Sequence, residues 1–61
     1  MKWFDVKTIH PDPSLILIGA TKDGEVPLRG HIIYDPIEDR YSLSSLDKSV
    51  IVYNILSWRF I

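Results

Sequence analysis

Cysteine is absent from this chain, and histidine appears only as His10 and His31. Disulfides and thiolate zinc sites are therefore excluded, and two imidazoles are too few for a usual structural zinc centre. An excess of charge of either sign is also missing. Seven basic residues stand against eight acidic ones, for a formal net charge of −1, so the basic stripe with which nucleic-acid binders neutralise phosphate is not there. Long apolar runs are missing too: the longest uncharged stretch, from Ser49 to Trp58, falls well short of the roughly 20 residues a membrane helix needs. Met1-Lys2 leads into an amphipathic segment rather than an apolar signal-peptide core, so a soluble cytoplasmic protein without a membrane partner is expected. Walker, Rossmann, HExxH and serine-triad signatures are lacking. No catalytic residue, cofactor or metal is predicted, and no motif names a biochemical activity.

What remains is a short, oily chain. Its 61 residues, 46% of them hydrophobic, make a single domain over 1–61. A chain this short buries only about 60% of the surface it exposes when unfolded. Stability must then come from a dense core or from self-association.

Turn signals recur at short intervals: HPDPS (10–14), KDG (22–24), DPIED (35–39) and SSLDKS (44–49). Between them lie β-prone runs, the pattern of a small antiparallel meander. KWFDVK is the first, with Phe4 and Val6 on one face. SLILIGA reads as a central strand apolar on both faces. Asp23-Gly24 marks a tight hairpin. The return strand alternates Val26, Leu28, Gly30, Ile32 and Tyr34 on a buried face with Pro27, Arg29, His31 and Ile33 on a wet one, Pro27 implying an edge or a bulge. RYSL is a short strand, and Ser44 to Ser49 fit one helical turn with Ser44 as N-cap and Asp47 three residues on. VIVYNILSWRFI is too long for one straight strand, so a bend or bulge is expected near Asn54. The predicted fold is all-β, five antiparallel strands curled into a partly open barrel, with room for that single helical turn.

On the simplest register Val52, Leu56, Trp58 and Phe60 share the core face of the last strand. Ile51, Tyr53, Ile55 and Ile61 share the other face, which a sheet this small cannot cover. Ile51, Tyr53, Ile55 and Arg59 are therefore the first candidates for contact with a protein partner or a second copy, and Arg29 with His31 the second. Other readings carry less. His31 beside Arg29 lacks an orienting partner and a nucleophile, so it reads as a surface histidine. DPIEDR lacks the ligand spacing of a calcium loop and reads as a charged hairpin tip. Trp3 and Trp58 suit a core better than a stacking platform for bases or for a polyproline ligand. The alternative function is a nucleic-acid-binding barrel using Trp3, Tyr34 or Tyr41 with Lys22 and Arg29.

The opening Trp3-Phe4-Asp5-Val6, a following proline (Pro11 or Pro13), the apolar run Leu15 to Ile18, the Asp23-Gly24 turn and the late Trp58 together form a pattern. It resembles a family of small domains of unknown function, common in phages and prophages, that open near Trp-Ile-x-Val and close near His-Trp-Met. Ser57 stands where that family often has histidine. The resemblance implies a compact β-rich phage-type protein without known catalysis, so no active-site residue is carried over. Small phage proteins of this kind often bind a host or defence protein stoichiometrically and block it. The expected function is thus a non-enzymatic protein-binding module, self-associating or acting on a host factor.

Overall fold

The computed structural model describes residues 2–61. Six antiparallel strands form one sheet: β1 (Phe4–Asp5), β2 (Leu17–Thr21), β3 (Gly24–Asp35), β4 (Arg40–Ser45), β5 (Ile51–Ile55) and β6 (Ser57–Arg59), in the spatial order β1-β6-β2-β3-β4-β5. In that order β6 and β5 lie four strand-to-strand steps apart, each about 4.8 Å in a flat sheet. Leu56 alone joins them, and one residue advances a chain by only about 3.3 Å. The sheet must therefore curl on itself, and it forms the expected partly open barrel. Leu56 sits at the seam, where its N–H donates to the Ala20 carbonyl (2.8 Å) and its carbonyl accepts from the Val6 N–H (3.1 Å). No helix among the described residues is long and apolar enough to cross a membrane.

Inward-facing Val6, Leu17, Val26, Ile32, Tyr41, Leu43, Ile55 and Trp58 make the core, with Phe4, Leu28 and Val52 packed against it. The alternation expected of β3 holds through Ile33: Val26, Gly30 and Ile32 are buried, while Arg29 and Ile33 are exposed. Tyr34, expected on the buried face, is exposed, because it lies near the end of the strand beside the hairpin turn. The implied irregularity at Pro27 is a bulge. Between the pairs Ile18↔Arg29 and Ala20↔Glu25, three β3 residues centred on Pro27 lie opposite the single Gly19. A residue without an N–H sits there without breaking a ladder bond. At the far end of β2, Thr21 pairs with Gly24 across Lys22-Asp23, and Gly24 takes φ 117°, which only glycine adopts freely.

Three expectations need correction. SLILIGA is a strand only from Leu17 onward. Asp12 accepts from the Ser14 N–H (2.9 Å) and hydroxyl (2.7 Å), and its carbonyl accepts from the Leu15 N–H (3.1 Å). Residues 14–16 are thereby held in a turn, with Leu15 and Ile16 exposed. Ser44 to Ser49 form no helical turn. Ser44 and Ser45 continue β4, and Asp47 serves a hairpin instead, its Oδ1 accepting from the Ser45 hydroxyl (2.8 Å), the Ser49 N–H (3.1 Å) and the Ser49 hydroxyl (2.7 Å). The same side-chain acceptor chemistry caps a helix or closes a turn, and no helical stripe follows to favour the former. Third, the strands number six because the C-terminal run divides.

Those three bonds, chiefly the two from Ser49, hold the Asp47 carboxyl down at about 2, against an ordinary value of 3.8. A carboxylate whose folded pKa is depressed contributes stability above its unfolded pKa and loses it as the folded pKa is crossed. The expected result is that the stability difference between the wild type and Asp47→Ala, read from urea unfolding at each pH, is full near neutrality and closes as pH falls from about 3.8 through about 2. A difference independent of pH would show that the bonds do not depend on the carboxylate charge.

Candidate protein-binding face

The site depends on a break in register at Asn54. Tyr41 pairs with Ile55, but Ser42 pairs with Tyr53, so Asn54 is an extra residue on β5. It adopts φ 64°, a left-handed conformation that asparagine tolerates better than most residues. This is the bulge expected near Asn54. An added residue reverses which side the following chain faces. Ile51 and Tyr53 keep the outer side, whereas Ile55 turns inward and is only 1% exposed.

Ile55 is therefore a core residue, not a contact residue. Leu56 is exposed outside both strands, which reverses the side again and lets Trp58 enter the core. Trp58 packs on Phe4, with ring centroids 4.8 Å apart, and its indole N–H donates to the Ile9 carbonyl (2.7 Å). Leu56 and Phe60 do not share that burial. Phe60 lies edge-on to Trp58, more than half exposed, and Ile61 is exposed as well.

Cross-strand register assembles the remaining candidates. His31, Ser44 and Ile51 stand side by side across β3, β4 and β5, and the next outward row is Ile33, Ser42 and Tyr53. The first and second choices from the sequence thus share one face. Ile33, Ile51 and Tyr53 are 50%, 51% and 50% exposed. Between them on β4 stand two small serines, Ser42 and Ser44. Arg40 lies over the Tyr53 ring, its guanidinium carbon 4.4 Å from the centroid. His31 is not a freely solvated histidine. Its Nδ1 donates to the Leu15 carbonyl (3.0 Å), and because a carbonyl only accepts, the proton is on that nitrogen.

Arg59 falls elsewhere. Arg59, Ile18 and Arg29 form a row across β6, β2 and β3, so Arg59 lies on the far side of β3 from β5. There it pairs with Glu25 (3.6 Å) and covers the Trp3 ring (5.2 Å). Arg29 borders both groups. Of the nucleic-acid alternative's residues, Tyr34 and Tyr41 meet, their ring centroids 4.9 Å apart, but Lys22 lies just before the start of β3, at the opposite end of that strand from Tyr34. Sequence reasoning missed Ile33 as a contact residue, although its alternation with Arg29 and His31 was a sufficient signal.

The geometry defines a small all-β barrel with an apolar outer face bordered by arginine. Comparison with known proteins found no matching family model, no matching curated protein and no matching solved structure.

Proposed function

We propose that this protein is a non-enzymatic protein-binding module that works through the outer face of β3, β4 and β5. One observation carries the reading: Ile33, Ile51 and Tyr53 are aligned by register on one face, and each is about half exposed. Scattered surface apolar residues are ordinary, but apolar residues gathered on one face, here Ile51 beside Tyr53 on β5 and Ile33 across Ser42 from Tyr53, mark an interface. Tyrosine and arginine, here stacked as Tyr53 and Arg40, are the side chains most enriched among residues that dominate binding. The partner is a second copy of the chain or a host or defence protein. The resemblance to small phage domains supports a modulator or inhibitor of such a factor in the host cytoplasm.

Light scattering at micromolar concentration tests the first partner. A mass above the monomer that Tyr53→Asp returns to the monomer is expected for self-association, and a monomeric wild type removes it. Capture from host lysate tests the second. A protein retained by the wild type and lost with both Ile33→Asp and Tyr53→Asp supports the reading. Retention equal in all three forms, together with a monomeric wild type, overturns it. Both residues are exposed, so their replacement should change stability by about 0.5 kcal/mol or less apart from the lost ring contact.

A further inference from the structure

A second surface is separate from the outer face. At one mouth of the barrel, between the 7–13 loop and the β3–β4 hairpin, lies an open groove of about 610 Å³. That is large for a protein of this size and within the range of ligand sites generally. Flat rings form most of it. Pro11 and Pro13 come from the loop, Tyr34 and Tyr41 from the paired strands, and Ile32, His10, Lys7 and Asp39 complete the lining. Pro13, Tyr34 and His10 are exposed, while Pro11, Ile32 and Tyr41 are buried beneath them. The two tyrosine rings are tilted against each other at 4.9 Å, and His10 stacks beside Tyr41.

The polar side chains along this groove bond one another. The Tyr34 hydroxyl donates to Asp39 Oδ1 (2.7 Å), the Tyr41 hydroxyl pairs with His10 Nδ1, and Lys7 lies 3.5 Å from Asp39 Oδ2. A strand-like peptide laid there would bring main-chain N–H groups against rings and engaged acceptors, and each unpaired one is costly. A proline-rich segment brings few N–H donors, presents flat apolar rings of its own and is already ordered before it binds. Aromatic-lined grooves suit such segments for that reason.

The rim adds a preference of charge. Asp35, Glu38 and Asp39 gather on the turn beside the groove, Asp39 in its lining, against Lys7 in the lining and Arg40, which is paired across the strands with Asp35 and laid over the Tyr53 ring. Lys7 and Asp39 are both well exposed, so their ion pair is weak and an incoming arginine can replace the lysine, with bidentate geometry in its favour.

We propose that the groove between Pro11, Pro13, Tyr34 and Tyr41 binds a proline-rich polyproline II segment flanked by a basic residue. This site is independent of the β3–β4–β5 outer face, and its test separates the two.

The probe is a synthetic peptide of about ten residues, mostly proline, ending in arginine. Two controls accompany it, one ending in glutamate and one with the prolines replaced by alanine. Binding is followed by amide chemical shifts in the full-length chain. The expected result is saturable shifts at Ile32, Tyr34, Tyr41 and His10, with affinity lowered about fivefold or more by Tyr34→Ala, as loss of a stacking ring predicts. The glutamate peptide should bind roughly tenfold more weakly. Asp39→Asn should narrow that gap, and because Asp39 sits at φ 52°, asparagine keeps the turn. Tyr53→Asp should leave peptide binding unchanged.

Absence of saturable shifts at millimolar peptide overturns the proposal. So does equal affinity for the alanine control, equal affinity for the two charged peptides, or shifts confined to Ile51 and Tyr53. The first and last of these leave the outer-face reading standing.

Discussion

Ile55→Asp is expected to abolish folding, whereas Tyr53→Asp, two positions earlier on the same strand, should leave the protein folded. Residues two apart on a regular strand share a face and should respond alike. Here the Asn54 bulge separates them. Ile55 is 1% exposed and packs in the middle of the core, where a Cβ added to Gly19 would come within 3.2 Å of both Ile55 Cγ2 and Leu43 Cδ1. Truncating such a residue to alanine costs about 2–5 kcal/mol. Aspartate adds the burial of an unpaired carboxylate, which is worse. A core of this size rarely supplies more than about 3–5 kcal/mol in total, so no folded population should remain. Circular dichroism and dispersion of amide resonances at neutral pH distinguish the two variants. A folded Ile55→Asp would mean that the bulge does not reverse the strand, and Ile55 would return to the outer face.

Gly30→Ala should be nearly as damaging, although it adds only a methyl group. Gly30 lies mid-sheet, paired with Leu17 of β2 on one side and Ser45 of β4 on the other. A Cβ there would stand 1.9 Å from the Ser44 carbonyl oxygen and 2.8 Å from its carbon. Both atoms are backbone, so no side chain can turn away. β4 would have to move off β3 by more than an ångström, straining the ladder that joins the middle of the barrel. Inserting bulk into packed cores costs about 1–3 kcal/mol and sometimes more, and this site is at the severe end because the obstacle is main chain. The expected outcome is loss of at least half the unfolding free energy by urea titration. Gly24→Ala makes the informative contrast. Nothing lies within 4 Å of its added Cβ, but φ 117° penalises any side chain there, so its cost is conformational and smaller, about 1 kcal/mol.

Much of the fold was legible because period-two alternation is a local property. Val26, Ile32 and their outward neighbours Arg29, His31 and Ile33 could be assigned from spacing alone. So could the turn at Asp23-Gly24 and the irregularities at Pro27 and Asn54, since residue type constrains φ and donor count without reference to the rest of the chain. The errors had two sources. At Ser44–Ser49 and at Ser14–Ile16 the local chemistry admits two conformations, and neighbouring strands chose between them. On the last strand, residue type marks the bulge at Asn54 but not which way the chain faces beyond it. One added residue sent Ile55 inward, and the exposed Leu56 then brought Trp58 into the core and left Phe60 outside it.

The candidate face divides in the same way. Ile51, Tyr53, Arg29 and His31 were each recognisable as outward residues of their own strands. That they adjoin depends on β4 running between β3 and β5 with Ser42 and Ser44 outward, a pairing between segments far apart in sequence. Arg59, equally exposed on paper, was carried to the other side of β3 by the seam at Leu56.

By itself, then, the sequence determined that this chain is all-β and without cysteine chemistry, and which way most residues of its regular strands face, because those properties follow from composition and from the two-residue repeat of an extended backbone. Tertiary structure alone decided that the sheet closes through a single residue, that Ile55 belongs inside, and that a ring-lined groove exists at all. Each of these depends on which strand lies beside which, and hydrogen-bonded pairing at a distance leaves no local mark in the order of the residues.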